Sequence, residues 1–558
     1  MERLWRWFNK GWGGLHEAAL VLALSALASQ LLALIRDRLL AASFGAGREL
    51  DIYYAAFRLP DLVYVSIASF ISVAVVIPLL AEKEKSGDTA ASKKLLNNIF
   101  TAFILVMLVV SLILFIVMPW LAPLVAPGFD AGSADLLTTL SRILLLSPFL
   151  LGLSNLFSAV TQSLRRFFIY ALSPVLYNVG IIIGIVFFEP HLGLPGLAWG
   201  VALGALLHLA IQWPTVWQHG FFPRLIRHLD WRELRRVIWL SLPRTLGLGA
   251  VQLTTLALVA IASLIGTGAI AVFNFANNLQ AVPLAIIGVS YSVAAFPTLV
   301  NLFASGERDK FKLQISTAIR HILFWALPAT ILFIVLRAQI VRVILGSGRF
   351  SWDDTRLTAA AMALFIVSLA AQSLVLVLVR AYYSAGQTRR PLLVNVLSAI
   401  LTILLAFVFW RIFISSAQPL FFLEGLLRVR DISGTAVLAL PLAFTLGSLL
   451  NIWFLWQLFQ RDFGRFPKMV DKALGQSVAA SLGGGLTAYI ALNLLDNVLD
   501  LNTFVGIFTQ GFVAGILGLL AFTLILWKLK NKELKEITKS LHNKFWQSRP
   551  IAPEPEGL

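Results

Sequence analysis

Apolar runs of about twenty residues, the length that crosses a hydrocarbon core of about 30 Å as a helix, recur along almost the whole chain. That template predicts fourteen helices, beginning near residues 16, 51, 95, 135, 168, 194, 237, 268, 313, 354, 391, 432, 472 and 503. The connections between them alternate in charge. One set is basic: Arg3, Arg6 and Lys10, then Lys83 and Lys85, Arg165 and Arg166, Arg224 to Arg236, Arg308 to Lys312, Arg389 and Arg390, Arg461 to Lys472, and Lys528 to Lys544. The other set, at 126–135, 189–196, 265–269 and 494–502, is poor in Lys and Arg. Because cytoplasmic loops collect positive charge, both termini are expected on the cytoplasmic side. The connections at 341–356 and around Glu424, Arg428, Arg430 and Asp431 mix both signs, and read as outward loops with structure of their own. The first apolar run continues to about Leu40, too long for a cleavable signal segment, so the first helix is expected to remain.

Composition agrees with this pattern. Of 558 residues, 58% are hydrophobic and 13% charged, with a mean hydropathy of +0.83; an ordinary soluble domain is about 25% charged. The expected fold class is an all-α polytopic membrane protein. A net charge of +17 would suggest nucleic acid in a soluble chain, but here it resides in alternate loops, and no nucleic-acid partner is expected. The absence of cysteine excludes disulfides, thiolate metal sites and thiol nucleophiles. The seven histidines are scattered without metal-binding spacing, and no glycine-rich phosphate loop opens a helix after a strand. An enzyme, a resident metal and a cofactor are therefore not expected.

The chain repeats itself at roughly 220 residues, an interval suited to a two-lobed transporter. Residues 44–61 align with 265–282, 77–88 with 296–307, and 173–180 with 390–398, which sets Pro174 against Pro391 and Asn178 against Asn395. The repeats are expected to be parallel, with a cleft between two six-helix lobes at 1–220 and 221–465. A helix pair at 466–530 has no counterpart, and 531–558 forms a cytoplasmic tail, read as a short amphipathic helix along the anionic leaflet and a disordered end. Pro60, Pro78, Pro174, Pro283 and Pro297 mark candidate kinks.

Charge inside the apolar runs changes the picture most. Arg36, Asp37, Arg38, Asp51, Arg58 and Asp61 fall within the first two predicted helices, where an ionisable side chain costs several kcal/mol unless it faces protein or water. Ser25, Ser29 and Arg36 share one helical face, as do Asp51, Tyr54, Arg58 and Asp61, so two adjacent helices would offer a polar, mostly cationic wall. The alternative is that Arg36 and Arg38 snorkel to the interface and merely pair with Asp37; Arg58 fits that reading less well. Arg142, Arg244 and Arg380 are further candidates, with Arg244 equally readable as a residue at a cytoplasmic helix end. Asp37, Asp51 and Asp61 are expected to orient arginines rather than bind cations.

Four segments carry a family resemblance: RDRLLAASFGAGRELDIYYAAFRLPDL at 36–62, SPVLYNVGIIIG at 173–184, FANNLQAVPLAIIGVSYSVAAFPTL at 275–299 and RAYYSAGQTRRP at 380–391. In that order, with the appended helix pair, the chain resembles the MurJ (MviN) lipid II flippases of the multidrug/oligosaccharidyl-lipid/polysaccharide exporter superfamily. The resemblance implies a fourteen-helix protein that moves lipid II, the undecaprenyl-pyrophosphate-linked peptidoglycan precursor, across the bacterial inner membrane by alternating access. It also implies a cationic cavity for the pyrophosphate and a groove at the last two helices for the lipid tail. Arg36, Asp37, Asp51, Arg58 and Arg380 match the family pattern, whereas Gln30, Tyr64 and Asn278 stand where it has arginines. Arginine suits pyrophosphate because its planar fork binds oxygens bidentately and stays charged, so Arg36 and Arg58 lead the expected head-group contacts. Asn277, Asn278 and Gln280 supply neutral donors. The stretch 391–410 has no carboxylate, so the sodium coupling described for some members has no evident ligand set. Membrane lipids and other cell-wall synthesis proteins are the further partners implied. Export of another undecaprenyl-linked glycan, and a non-transporting scaffold of the same fold, stand as alternatives.

Overall fold

A computed structural model describes residues 15–67, 82, 89–164 and 166–545; a few side chains within that range, Arg244 among them, lie outside the description. The expectations for Arg3, Arg6, Lys10, Pro78, Lys83, Lys85, Arg165 and the end of the tail also fall outside it. Among the described residues every element of regular structure is helical. The first part of the chain gives α1 (Leu15–Phe44), α2 (Arg48–Ala56), α3 (Arg58–Ile67), α4 (Thr89–Val125), α5 (Ala131–Leu144), α6 (Leu146–Ser163), α7 (Phe167–Ile183), α8 (Leu194–Ala210) and α9 (Trp213–Gln218). There follow α10 (Trp231–Ile265), α11 (Ala269–Leu284), α12 (Ser290–Ala304), α13 (Arg308–Val335), α14 (Arg337–Leu345), α15 (Trp352–Ile366), α16 (Leu369–Ser384), α17 (Arg389–Ser415) and α18 (Ala417–Leu427). The chain ends in α19 (Ala439–Phe463), α20 (Met469–Asp496), α21 (Phe504–Lys528) and α22 (Lys532–Phe545).

Eleven spans among the described residues are long and apolar enough to cross a membrane, twelve when α15 and α16, bent by 42°, count as one. These twelve coincide with the third to fourteenth helices of the sequence reading. The first coincides with α1, and the second begins as α2 and α3 and continues beyond the described residues. Their outward faces are apolar: along α4, Leu108, Val109, Leu112 and Ile116 are each more than half exposed. Such a surface is stable only in lipid, and the protein is a multi-span membrane protein.

The helices pack as two compact units. One comprises the described part of Met1–Leu279 with Ile344–Phe365 and Thr388–Gly447. In it α1 lies on α7, α7 on α8, and α10 on α3 and α17. The α7–α8 contact depends on small residues, as helix pairs in lipid generally do: a Cβ at Gly180 would stand 2.3 Å from the Gly204 Cα, and one at Gly184 2.4 Å from the Gly200 Cα. In the other unit, Gln280–Val343, Ile366–Gln387 and Ser448–Leu558, α13 packs on α16 and α20, and α20 on α21, where Gly484 and Gly518 meet backbone to backbone. There α22 is docked rather than laid loosely on a leaflet. Its Glu533 pairs with Arg320 of α13 at 2.7 Å, both side chains at most 5% exposed, and its Leu534 and Ile537 pack against Phe324, Phe522 and Leu526.

Candidate functional site

The charged stretch that opens the chain is held in the first unit by the turn between α1 and α2. Gly45 there has φ +62°, a left-handed conformation that glycine adopts without strain. Beside it Gly268 has φ +83°, and a Cβ on Gly268 would stand 2.1 Å from the Ala46 carbonyl oxygen. Two strands of turn backbone therefore touch directly, which brings α2 to the N-terminus of α11.

Asp51 completes that contact. Its carboxylate, 0% exposed, accepts hydrogen bonds from the backbone N–H of Gly268 at 2.6 Å and of Ala271 at 2.9 Å. It serves as the cap of α11 from a neighbouring helix, satisfying donors that a helix start leaves open and placing negative charge at the positive end of the dipole. This differs from the expectation that Asp51 orients an arginine: the spacing to Arg48 and Arg58 was compatible with that, but buried backbone N–H groups demand an acceptor more strongly than a cation that reaches other oxygens. Around it, Arg48 donates to Thr267 Oγ1 at 3.1 Å, Arg349 N to Ala42 O at 2.9 Å, and Arg38 to Ile344 O at 3.3 Å.

Next to this clasp both leading arginines are tied to α11, Arg36 through Asp37 and Arg58 directly. The Arg36 Nε and Nη2 both donate to Asp37 Oδ1, at 2.9 and 2.8 Å, and Nη1 donates to Asn178 Oδ1 at 3.3 Å. Asn178 is fixed in turn by Ser29 Oγ and the Pro174 carbonyl, at 3.2 and 3.1 Å. The other Asp37 oxygen accepts from Asn278 Nδ2 at 3.0 Å. Arg58 donates through Nη2 to Asn274 Oδ1 at 2.7 Å and through Nε to the Tyr54 carbonyl at 3.2 Å, while Asn274 Nδ2 is anchored on Ile270 O. Asn274 and Asn278 are four residues apart on α11, one helical turn. The Arg36–Asp37 and Arg58 groups therefore occupy consecutive turns of a single helix face.

Three of the five N–H donors of Arg36 are spent on Asp37 and Asn178, leaving two for a ligand. The arginine side chain is 22% exposed and its carboxylate partner 5%, so the guanidinium, not the carboxylate, is the reachable group. Asp61 follows Arg58 by one turn of α3 and is half-buried. Tyr53 and Tyr54 back the cluster; Tyr54 is edge-on to Phe275, with centroids 5.8 Å apart. The wall is chemically a row of guanidinium groups, each already steadied by an amide or a carboxylate.

The remaining candidates lie elsewhere or on other faces. Arg142 of α5 donates to the Phe115 carbonyl at 2.9 Å and sits 4.6 Å over the Phe115 ring, a residue 49% exposed on the outer side of α4. Asn277 is half-buried on α11, Arg380 is half-buried on α16 in the second unit, and the Arg244 side chain lies outside the described residues. Gln30 is exposed, and the Tyr64 hydroxyl accepts from Asn155 Nδ2 at 3.1 Å. The sequence reading missed Asn274 and singled out Asn178 only as the repeat partner of Asn395. The signal for Asn274 was present: two asparagines one turn apart in an apolar helix that aligns with the charged one.

Comparison with known proteins places the chain. The family described as Lipid II flippase MurJ matches residues 40–508. The chain is 30% identical over 402 residues to a protein of Bdellovibrio bacteriovorus named probable lipid II flippase MurJ, covering 71% of this chain and 76% of that one. It is 27% identical over 403 residues to the lipid II flippase MurJ of Burkholderia cenocepacia, covering 71% and 78%. Among solved structures, "Lipid II flippase MurJ, inward closed conformation" superposes with a TM-score of 0.73 over 92% of this chain and all of that one, at 19% identity. An inward-facing multidrug resistance MATE family transporter of the MOP superfamily superposes with a TM-score of 0.63 over 82% of this chain, at 13% identity.

Proposed function

The chain belongs to the lipid II flippase MurJ family, and from that premise we propose that it carries lipid II across the bacterial cytoplasmic membrane, with Arg36 and Arg58 receiving the pyrophosphate. A charged, sugar-bearing head cannot enter hydrocarbon unless protein donors and cations replace its water. The observation that carries the reading is the placement of these arginines on consecutive turns against Asn278 (through Asp37) and Asn274 of α11. A pyrophosphate spans about the distance between adjacent turns, and each guanidinium retains donors while its orientation is fixed. Asn277 and Asn278 add neutral donors, Asp37 and Asp61 hold their arginines, and Arg142, Arg244 and Arg380 are the outlying cations of the same reading.

Translocation proceeds by alternating access between two six-helix lobes, 1–220 and 221–465, with 466–530 appended for the lipid tail and both termini cytoplasmic. The internal repeat and the alternation of basic loops support this arrangement. The test is rescue of cells depleted of their own lipid II flippase by the wild type, Arg36→Ala and Arg58→Ala, with membrane levels checked. Rescue by wild type alone is expected. Equal rescue by all three removes the arginines from the mechanism, and no rescue by well-expressed wild type points to another undecaprenyl-linked glycan or to partnership with other cell-wall synthesis proteins.

A further inference from the structure

A second basic site lies away from the arginine cluster, at the basic connection before α10. The segment 224–230 is stapled along α4: Arg224 N donates to Asn97 Oδ1 at 2.7 Å, Ile226 N to Thr101 Oγ1 at 3.0 Å, and Asp230 N to Asn98 Oδ1 at 2.9 Å, with Asn98 Nδ2 returning a bond to Asp230 O at 2.9 Å. Asp230 then caps α10 through the N–H groups of Arg232 and Glu233. Between the staple and α9 a cavity of about 410 Å³ opens, with Lys93, Asn97, Trp217, Phe221 and Arg224 around it. The turn at Gly220, φ +70°, leaves Lys93 Nζ room, since a Cβ there would stand 3.4 Å from it. That ammonium lies 5.8 Å from the Phe221 ring centroid.

Among the described residues neither Lys93 nor Arg224 has a carboxylate partner, and both are exposed. The Asn97 oxygen is fixed as an acceptor by Arg224 N, so its amide hydrogens remain to donate. Two cations and an amide thus converge on one cavity. Its rim is apolar beside the cations: Trp217, 61% exposed, stands there with Phe221 and Phe222. An exposed tryptophan beside a basic connection is characteristic of the belt between head groups and acyl chains, and basic pockets between helices at such an interface suit anionic head groups.

We propose that this cavity binds the phosphodiester of an anionic phospholipid from the adjoining leaflet, with Lys93, Arg224 and Asn97 on the phosphate and Trp217 and Phe222 against the glycerol and upper acyl chain. The bound lipid bridges α4 to the segment leading into α10 and so tightens the staple. A soluble phosphate meets the same cations but leaves the apolar rim uncovered, which favours the lipid.

The experiment is native mass spectrometry and thermal unfolding of the full chain in detergent, titrated with phosphatidylglycerol, phosphatidylcholine or inorganic phosphate. The variants are K93Q/R224Q and, for equal charge loss outside the cavity, K94Q/R227Q. Wild type and K94Q/R227Q are expected to retain one phosphatidylglycerol more than K93Q/R224Q and to gain thermal stability from it, with half-saturation at least about tenfold lower. Equal binding by all three proteins overturns the site, as does equal loss in both variants, which would mean general surface attraction. Binding of inorganic phosphate with no preference for phosphatidylglycerol over phosphatidylcholine overturns the lipid assignment. If K93Q/R224Q unfolds on purification, K93R/R224K must keep the lipid and W217A must lose its thermal gain for the proposal to stand.

Discussion

Asp37→Asn separates a structural from a substrate-binding role for Arg36. The carboxylate holds the guanidinium through Oδ1 at 2.8 and 2.9 Å and holds Asn278 through Oδ2 at 3.0 Å. The carboxylate is 5% and the guanidinium 22% exposed, so the pair is part-buried, and leaving the guanidinium without its charged partner costs less than the about 3–5 kcal/mol of a fully buried pair but more than the about 1 kcal/mol of an exposed one. The empty variant should therefore melt well below wild type. The effect on a pyrophosphate has the opposite sign. A phosphate on the far edge of the guanidinium lies of the order of 6 Å from the carboxylate, where the repulsion between two unit charges is about 3 kcal/mol at an effective dielectric of about 20. Deleting the carboxylate removes that repulsion, worth about a hundredfold in affinity. Purified wild type and Asp37→Asn are to be melted in detergent with increasing undecaprenyl pyrophosphate. A larger ligand-induced rise in Tm for the variant, from a lower baseline, is the expected result. A lowered baseline with no greater response to ligand refutes the reasoning, since Arg36 would then be a structural cation only.

Asn274→Ala deprives Arg58 Nη2 of its 2.7 Å acceptor and should cost about 1–3 kcal/mol, the penalty of an unsatisfied buried donor; Asn274→Asp, which keeps an acceptor, should rescue the melting temperature, and failure to do so would locate the role of Asn274 elsewhere. Glu533→Gln leaves Arg320 charged and buried at a site where both partners are at most 5% exposed, so a loss of about 3–5 kcal/mol is expected, whereas R320M/E533L should lie near wild type; equal damage by both, read from melting and from protease cleavage at α22, contradicts the ion-pair account. Arg356 binds Asp431 bidentately, each bond 2.6 Å, and its guanidinium holds that carboxyl below the usual carboxylate range. A lowered folded value means that the stabilisation is complete above the ordinary value of about 4 and disappears as pH falls through the lowered one; wild type and Asp431→Asn should differ in unfolding at neutral pH and converge as the pH falls below about 4, and a difference that stays constant on acidification would exclude the pair as its source.

Much of the architecture was legible because lipid imposes a length and a composition on each helix, and the basic loops mark alternate connections. Arg36, Asp37 and Arg58 were legible for the same reason: charge in an apolar run is conspicuous. Their asparagine partners were legible only in part. An asparagine inside a helix cap, a packing seam or a binding face looks the same in one sequence, and only the position of α11 shows that Asn274 and Asn278 share a face with the arginines. Asp51 was legible as a buried carboxylate but not as a cap, since its partners are the backbone N–H groups of Gly268 and Ala271, which no side-chain pattern announces. Arg142 stood in the sequence as a further candidate behind Arg36 and Arg58, and its guanidinium meets a carbonyl and a ring on α4. The docking of α22 depends on Arg320 and Glu533, 213 residues apart, beyond the reach of any local periodicity.

The geometry of α11 also indicates how binding would be felt by the rest of the molecule. Its N-terminus is held by Asp51, the next turns by Arg58 through Asn274, and the turn after by Asp37 through Asn278. Each bond joins a residue of α1, α2 or α3 to α11 within the first unit, so any separation of α11 from those helices at this end must break all three. A ligand shifts such an equilibrium only through interactions that differ between the two states. On the proposed reading pyrophosphate has that difference available: it would take the guanidinium hydrogens that Asp37, Asn178 and Asn274 leave open and pull against those partners as a rival acceptor, but it could not replace Asp51, whose partners are backbone N–H groups at a buried helix end. Substrate would therefore loosen the middle of the face while the cap at its end keeps the turn closed, and release of the cap is a separate step with its own barrier. On this account Asp51→Asn, which keeps an acceptor oxygen but removes the charge from the helix dipole, weakens the closed turn without altering pyrophosphate binding at Arg36 and Arg58, and the two steps separate by mutation.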